Sequence, residues 1–181
     1  TISEPIYEFG AYQVPGQEEI ADLRFLFQGK EYVGTDIRPG NGVDRIIDLH
    51  NVDMPDESIG TALVLETFEH VEYPRKAIEN LLRVLKTDGY IVISSPLNFP
   101  IHDYPNDYWR FTPEGLKSLL KPFPFSFIDA FGNPAFPYSV FGFACKGQPS
   151  QRDMKEFKNG YKQLVYWWKM VGNKLREENG S

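Results

Sequence analysis

The sequence predicts an α/β fold: a doubly wound, mostly parallel sheet of seven strands that ends in a C-terminal antiparallel hairpin. Three observations carry this. Strand-like and helix-like runs alternate from Ile6 to Leu120, the pattern of parallel strands joined by crossover helices. Ile59 to Leu65 is an almost uninterrupted apolar run bounded by the turn Pro55-Asp56-Glu57-Ser58, as expected of a strand buried on both faces. Phe125 to Phe131 and Val140 to Lys146 are two β-rich runs whose Pro-rich, aromatic connection is too short for a crossover helix, so they pair antiparallel.

The elements follow in order. Ile6-Tyr7-Glu8-Phe9 is β-prone and ends at Gly10; after a Pro15-Gly16 turn, Gln17 to Phe27 has helical amphipathicity. Glu31 to Asp36 and Val43 to Asp48 are short strands separated by Arg38-Pro39-Gly40-Asn41-Gly42, and both end in aspartate. In Tyr73 to Leu85 the residues Ala77, Ile78, Leu81, Leu82 and Leu85 recur at helical spacing, with Pro74 near the start; Asp88-Gly89 breaks the run before the strand Tyr90 to Ile93. Thr112-Pro113-Glu114 is a helix start, with a hydroxyl cap, a proline where no N–H is needed and an early carboxylate; that helix is expected to reach about Leu120.

Composition narrows the partners. The chain has 181 residues, 41% hydrophobic and 15% aromatic, enough for one sizeable core. A net charge of −6 argues against a nucleic-acid partner, which calls for a basic face. The single cysteine, Cys145, forms no internal disulfide and no Cys pair has metal-ligand spacing, which fits a reducing, cytoplasmic setting. No long apolar run and no basic-then-apolar leader is visible, so neither a spanning helix nor a signal peptide is expected.

In a doubly wound sheet, ligands bind beyond the carboxyl ends of the strands. Gly10, Asp36 and Asp48 all fall there. Asp36 follows Gly10 at a separation suited to a ribose diol, whose two vicinal hydroxyls a carboxylate can accept from; Asp48 can accept from an adenine amino group, and Leu49 offers a backbone N–H and apolar contact. Each aspartate alone can equally be a strand terminator that starts a turn.

The succession Tyr7-Glu8-Phe9-Gly10-Ala11, Tyr32-Val33-Gly34-Thr35-Asp36, Asp48-Leu49-His50-Asn51-Val52, Val64-Leu65-Glu66-Thr67-Phe68-Glu69-His70-Val71 and Leu82 to Ser94 resembles the successive motifs of class I S-adenosylmethionine-dependent methyltransferases, over roughly Ile6 to Lys146. The last two blocks resemble the small-molecule enzymes. The resemblance implies a Rossmann-like methyltransferase fold with S-adenosylmethionine as cofactor. It implies that Glu8 and Gly10 line the methionine end, that Asp36 holds the ribose with Ile37 against the adenine, that Asp48 and Leu49 take the adenine edge, and that Leu65 and Glu66 lie beneath the sulfonium. Two departures stand out: Tyr12 and Val14 replace the usual second and third glycines, and only five residues precede Ile6 where relatives carry a lid helix. They keep open a methyltransferase-like binding module without activity. A nicotinamide-dependent oxidoreductase also suits a glycine and an acid after successive strands, but the three-glycine fingerprint is missing and the closing hairpin is antiparallel.

The acceptor is expected in Ser95 to Phe111, a loop rich in aromatic and titratable residues. Methyl transfer needs an acceptor lone pair aligned on the sulfonium methyl, and a hydroxyl must lose its proton. His102, on this loop, and His70 are the bases the sequence offers; a solvent-facing loop histidine and a backbone-bonded helix-start histidine are the plainer roles. Tyr108 and Trp109 can stack on a ring, and Arg110 can fork onto a carboxylate or phosphate, which suits a sugar, acid or ring-shaped acceptor. Equally, Trp109 and Phe111 can anchor the loop while Arg110 pairs with Asp103 or Asp107. Asp103, Asp107 and His102 are the residues a divalent metal would need; their spacing is not diagnostic, and no metal is expected.

Composition shifts after Gly147, which divides the chain into residues 1–147, the cofactor-binding domain, and 148–181, a helical appendage. There Phe157, Tyr161, Leu164, Trp168, Val171 and Leu175 form an apolar stripe, with Lys155, Lys158, Lys162, Lys169 and Lys174 on other faces. Such a helix suits packing on its own domain, a homodimer interface, or a membrane surface.

Overall fold

The computed structural model describes residues 2–16, 18–102 and 105–178. Ile2–Gln148 forms one compact unit and the residues from Pro149 onward another.

The first unit is a single seven-stranded sheet. Strands β1 (Ile6–Phe9), β2 (Tyr32–Asp36), β3 (Arg45–Ile46), β4 (Ile59–Val64), β5 (Leu85–Pro96), β6 (Phe125–Asn133) and β7 (Phe136–Cys145) lie in the order β3-β2-β1-β4-β5-β7-β6. The first five are mutually parallel and β7 is antiparallel to both neighbours. The predicted α/β sheet with its closing hairpin is therefore the observed one. Every residue of β4 is buried, as its unbroken apolar run requires of a central strand.

The chain passes outward from β1 to β2 and β3, then returns to place β4 on the other side of β1. That reversal opens a crevice beyond the carboxyl ends of β1 and β4. Helix α2 (Pro74–Val84) connects β4 to β5 and buries Ala77, Ile78 and Leu81 as its spacing predicts, with Val84 in addition; Leu82 is half-buried, and Leu85 already belongs to β5, which runs through the Asp88-Gly89 expected to precede it. Helix α3 (Pro113–Leu119) is capped by Thr112, whose side chain accepts from the Gly115 N–H at 3.1 Å. Its Leu116 and the following Leu120 crowd Gly142 of β7 so closely that a Cβ there would strike Leu120.

Local chemistry shortens two predicted elements. The amphipathic run ending at Phe27 yields a four-residue helix α1 (Glu18–Ala21) and a separate 3-10 turn, Arg24–Phe27. The Asp22 carboxylate accepts from the Arg24 N–H at 2.9 Å, a local turn that competes with helix, while the Arg24 guanidinium is drawn away to Gly42 O and Asp44. β3 begins only at Arg45, because the Gly34 N–H is taken by the Asp44 side chain at 2.8 Å in place of a ladder carbonyl. In the other direction, the hairpin is tighter than its prolines suggest. Pro134 and Ala135 form the whole turn, stabilised by Asn133 Oδ1 accepting from the Ala135 N–H, and Pro137 faces a bulge at Gly132.

In the second unit, α4 (Gln151–Glu178) is a helix in which Phe157 and Tyr161 stack at 6.3 Å, adjacent on one face as the stripe predicts. The side chains of Trp168, Lys169, Val171, Lys174 and Leu175 lie outside the described residues. Among the described residues, no helix is long and apolar enough to cross a membrane.

Candidate functional site

The crevice is a cleft of about 640 Å³ whose wall is built by the ends of β1, β2, β3 and β4 and by the loop after β5. Of the predicted site residues, Gly10, Asp36, Ile37, Asp48, Leu49, Glu66, His70, His102 and Tyr108 line it; Glu8, Leu65, Trp109 and Arg110 do not.

Gly10 turns the chain out of β1 with φ +87°, a left-handed conformation that glycine takes without strain, and a Cβ there would collide with Thr67 Oγ1. That hydroxyl is fixed by donating to Phe9 O at 3.0 Å and Leu65 O at 2.8 Å, so the turns after β1 and β4 are locked together. Tyr12, standing where a second glycine would be expected, also lines the cleft, with the Arg38 guanidinium 4.3 Å from its ring centroid. Asp36 is buried at the end of β2, and its Oδ1 accepts from the Arg38 N–H at 2.9 Å.

Asp48 is tied to a residue that the sequence reading passed over. Its Oδ1 accepts from the His50 backbone N–H and lies 2.8 Å from His50 Nδ1, while His50 Nε2 accepts from the Tyr73 N–H at 3.1 Å. These bonds fix a neutral imidazole with the proton on Nδ1 and aim the carboxylate from the cleft wall. The two-residue spacing of Asp48 and His50 was the available signal, but the partner at Tyr73 is 23 positions away.

Glu8 faces away from the cleft and accepts a short hydrogen bond from the Tyr32 hydroxyl. Burial raises its carboxyl above the ordinary range, against the pull of the Tyr32 bond and of Arg24.

In the same cleft, the 3-10 turn Phe68–His70 meets the loop after β5. His70 and His102 pack edge to face, ring centroids 4.8 Å apart. His70 Nδ1 lies 2.6 Å from Asn106 O, which only a protonated Nδ1 satisfies, so Nε2 carries the lone pair. Burial holds the His70 pKa below its usual value. His102 Nδ1 lies 3.2 Å from Asp107 Oδ2 and its backbone N–H donates to the same oxygen.

Glu69 lies behind the pair, fully buried. Its Oε2 accepts from Ser95 Oγ at 3.0 Å, while Oε1 has no hydrogen-bond partner and stands 3.7 Å from His70 Nε2. Burial pushes the carboxyl up to about 7.

The remaining loop residues hold this arrangement. Arg110 forks onto Asp107, with the Nη2 contact at 2.6 Å, and donates to the carbonyls of Pro100 and Trp109, so its donors are spent within the loop. Asp107 is consequently held well below the usual carboxylate range. Trp109 Nε1 donates to Val71 O at 2.9 Å, and the Tyr108 N–H donates to Glu69 O at 2.7 Å. Tyr108 alone of the predicted acceptor contacts lines the cleft; Asp103, named with Asp107 and His102 as a metal-ligand set, lies outside the described residues.

Residues 18–93 match the family model described as a methyltransferase domain. No curated protein matches the chain. Among solved structures, a Burkholderia thailandensis 1,6-didemethyltoxoflavin-N1-methyltransferase with bound 1,6-didemethyltoxoflavin and S-adenosylhomocysteine superposes with a TM-score of 0.61 at 17% identity, covering 79% of this chain and 71% of that one. An S-adenosylmethionine-dependent methyltransferase from Archaeoglobus fulgidus gives 0.61 at 18% identity, covering 78% and 85%. A possible histamine N-methyltransferase from Thermotoga maritima gives 0.57 at 18% identity, covering 78% and 81%. At such identities the structural likeness speaks for the fold: the chain has the α/β fold of S-adenosylmethionine-dependent methyltransferases, with a cleft at its strand ends, and its residues 18–93 match a methyltransferase domain.

Proposed function

We propose that the chain transfers the methyl group to an oxygen of a small, sugar-like, acidic or ring-shaped acceptor. The nucleoside would lie against Gly10, Asp36, Ile37, Asp48 and Leu49, and the acceptor at the His70–His102 end, with Glu66 between. The observation that carries this reading is that two edge-packed imidazoles line the same cleft as Asp36 and Asp48. Burial favours neutral His70, and with Nδ1 donating to Asn106 O the lone pair of that neutral ring lies on Nε2, so it can take a hydroxyl proton as the methyl moves. Tyr108 supplies an aromatic wall, while Trp109 and Arg110 act by holding the loop. The acidic net charge fits a small acceptor better than a nucleic acid.

The Burkholderia and Thermotoga relatives are named for nitrogen acceptors, which makes N-methylation the second reading. Calorimetric titration with S-adenosylmethionine, S-adenosylhomocysteine and NAD tests the cofactor half: saturable binding of the first two alone is expected, and absence of both sinks an active methyltransferase. Methyl transfer to a panel of hydroxy acids, phenols, sugars and heterocyclic amines, with the product methyl located by NMR, then separates oxygen from nitrogen.

A further inference from the structure

One feature at the acceptor end exceeds what a proton acceptor needs. One ligand-capable atom from each of Glu69, His70 and His102 lies within 4.8 Å of the other two. Glu69 Oε1 is fully buried, lacks a hydrogen-bond partner and stands beside His70 Nε2, whereas buried polar atoms are almost always satisfied.

The outer contacts follow the pattern of metal-ligating side chains. A ligating histidine ordinarily donates its second ring N–H to a carbonyl or carboxylate, which fixes the tautomer and raises the basicity of the ligating nitrogen. His70 Nδ1 faces Asn106 O, His102 Nδ1 faces Asp107 Oδ2, and the non-orphan oxygen of Glu69 accepts from Ser95. Asp107 is in turn clamped by Arg110. Each of the three thus has one polar atom anchored and one left to converge.

We propose that Glu69, His70 and His102 form a divalent transition-metal site, with His70 Nε2, His102 Nε2 and Glu69 Oε1 as ligands. Two imidazole nitrogens and one carboxylate oxygen select Zn²⁺ or its neighbours in the first transition row over Mg²⁺ or Ca²⁺, which prefer all-oxygen sites. Ligand bonds of about 2.1 Å at tetrahedral angles set donors roughly 3.4 Å apart, so the 3.7 Å gap between Glu69 and His70 closes with a small side-chain shift. Because His70 and His102 line the cleft, the remaining coordination positions face the acceptor. With the metal bound, the His70 Nε2 lone pair is taken, so the site would replace that imidazole as proton acceptor by polarising the acceptor oxygen until its proton passes to water in the cleft; this role rests on the oxygen-acceptor reading, and the site itself does not.

The test uses the full chain stripped with chelator and titrated with Co²⁺, followed by visible absorption, and with Zn²⁺, followed by calorimetry. One equivalent is expected, with the absorption of a nitrogen-ligated Co²⁺ centre. Glu69→Gln and His102→Gln should each weaken Zn²⁺ at least 100-fold, and Asp107→Asn roughly 10–100-fold by unfixing His102. His50→Ala, which removes the cleft imidazole outside the cluster, should leave Zn²⁺ binding unchanged. His102 sits on a partly exposed loop, so its variant reports even if the buried Glu69 substitution fails to fold. Absence of saturable binding, or binding that survives His102→Gln, overturns the proposal. S-adenosylmethionine titration of the same samples keeps the two readings apart: cofactor binding without metal removes only the metal site, and metal binding without cofactor removes only methyl transfer.

Discussion

Gly10 and Glu8 sit two residues apart on one strand end and lead to opposite expectations. At Gly10 any side chain meets two penalties, a left-handed φ and the locked Thr67 hydroxyl. Gly10→Ala should cost about 1–3 kcal/mol of stability and shift the cleft wall, weakening S-adenosylmethionine in parallel; a melting curve and a titration that both match the native chain would disprove the lock. At Glu8 the burial that raises the carboxyl pKa means that the folded state holds a proton more tightly than the unfolded chain does. The contribution of Glu8 to stability is then greatest below the unfolded value, about pH 4.3, and declines as pH rises above it. Glu8→Gln keeps an acceptor for Tyr32 but removes the charge, so the variant should match the native chain near pH 4 and be more stable at pH 7. Denaturant titrations at both pH values check this; a native chain at least as stable as the variant at neutral pH would show that Tyr32 and Arg24 compensate the burial fully.

At the scale of elements, the loop after β5 gives the clearest case of structure made by long-range bonds. Arg110 spends its donors on Asp107 and on the carbonyls of Pro100 and Trp109, while Trp109 reaches back to Val71. Arg110→Ala should therefore free this loop while leaving the sheet intact: limited proteolysis should cut faster between Phe99 and Phe111, with little change in melting temperature. Cleavage at the native rate would mean that the Trp109 and Tyr108 anchors suffice. The same contrast explains what was legible beforehand. The run of β4, the face of α2 and the cap at Thr112 are set by neighbours in sequence, and periodicity and residue type reveal them. The break before Arg24 combines a local bond to Asp22 with the distant Gly42 and Asp44, and the orientation of His50 depends on Tyr73, partners that no local window contains in full. At the site, the strand-end aspartates were legible because topology alone delivers them to one crevice. The orphaned oxygen of Glu69 was not, since a glutamate beside a histidine reads as polar surface until packing buries it.

At the scale of the whole molecule, every described residue of the cleft lies between Phe9 and Tyr108, and the sheet that carries them is complete by Cys145. Ile2–Gln148 is compact in itself, with its own core running from β1 to β7. A chain ending at Gln148 should therefore fold cooperatively and bind S-adenosylmethionine within about threefold of the full-length affinity, a difference of roughly 0.7 kcal/mol. The appended helix would then serve association rather than the cofactor. Its described Leu164 and Tyr166 are exposed and its basic residues are numerous, so deletion should alter size-exclusion behaviour or retention on anionic vesicles before it alters the cleft. Calorimetry on the shortened chain decides the matter. Lost cofactor binding in a shortened chain that still melts cooperatively would make residues 149–181 necessary for binding and would overturn the division of labour between the two units.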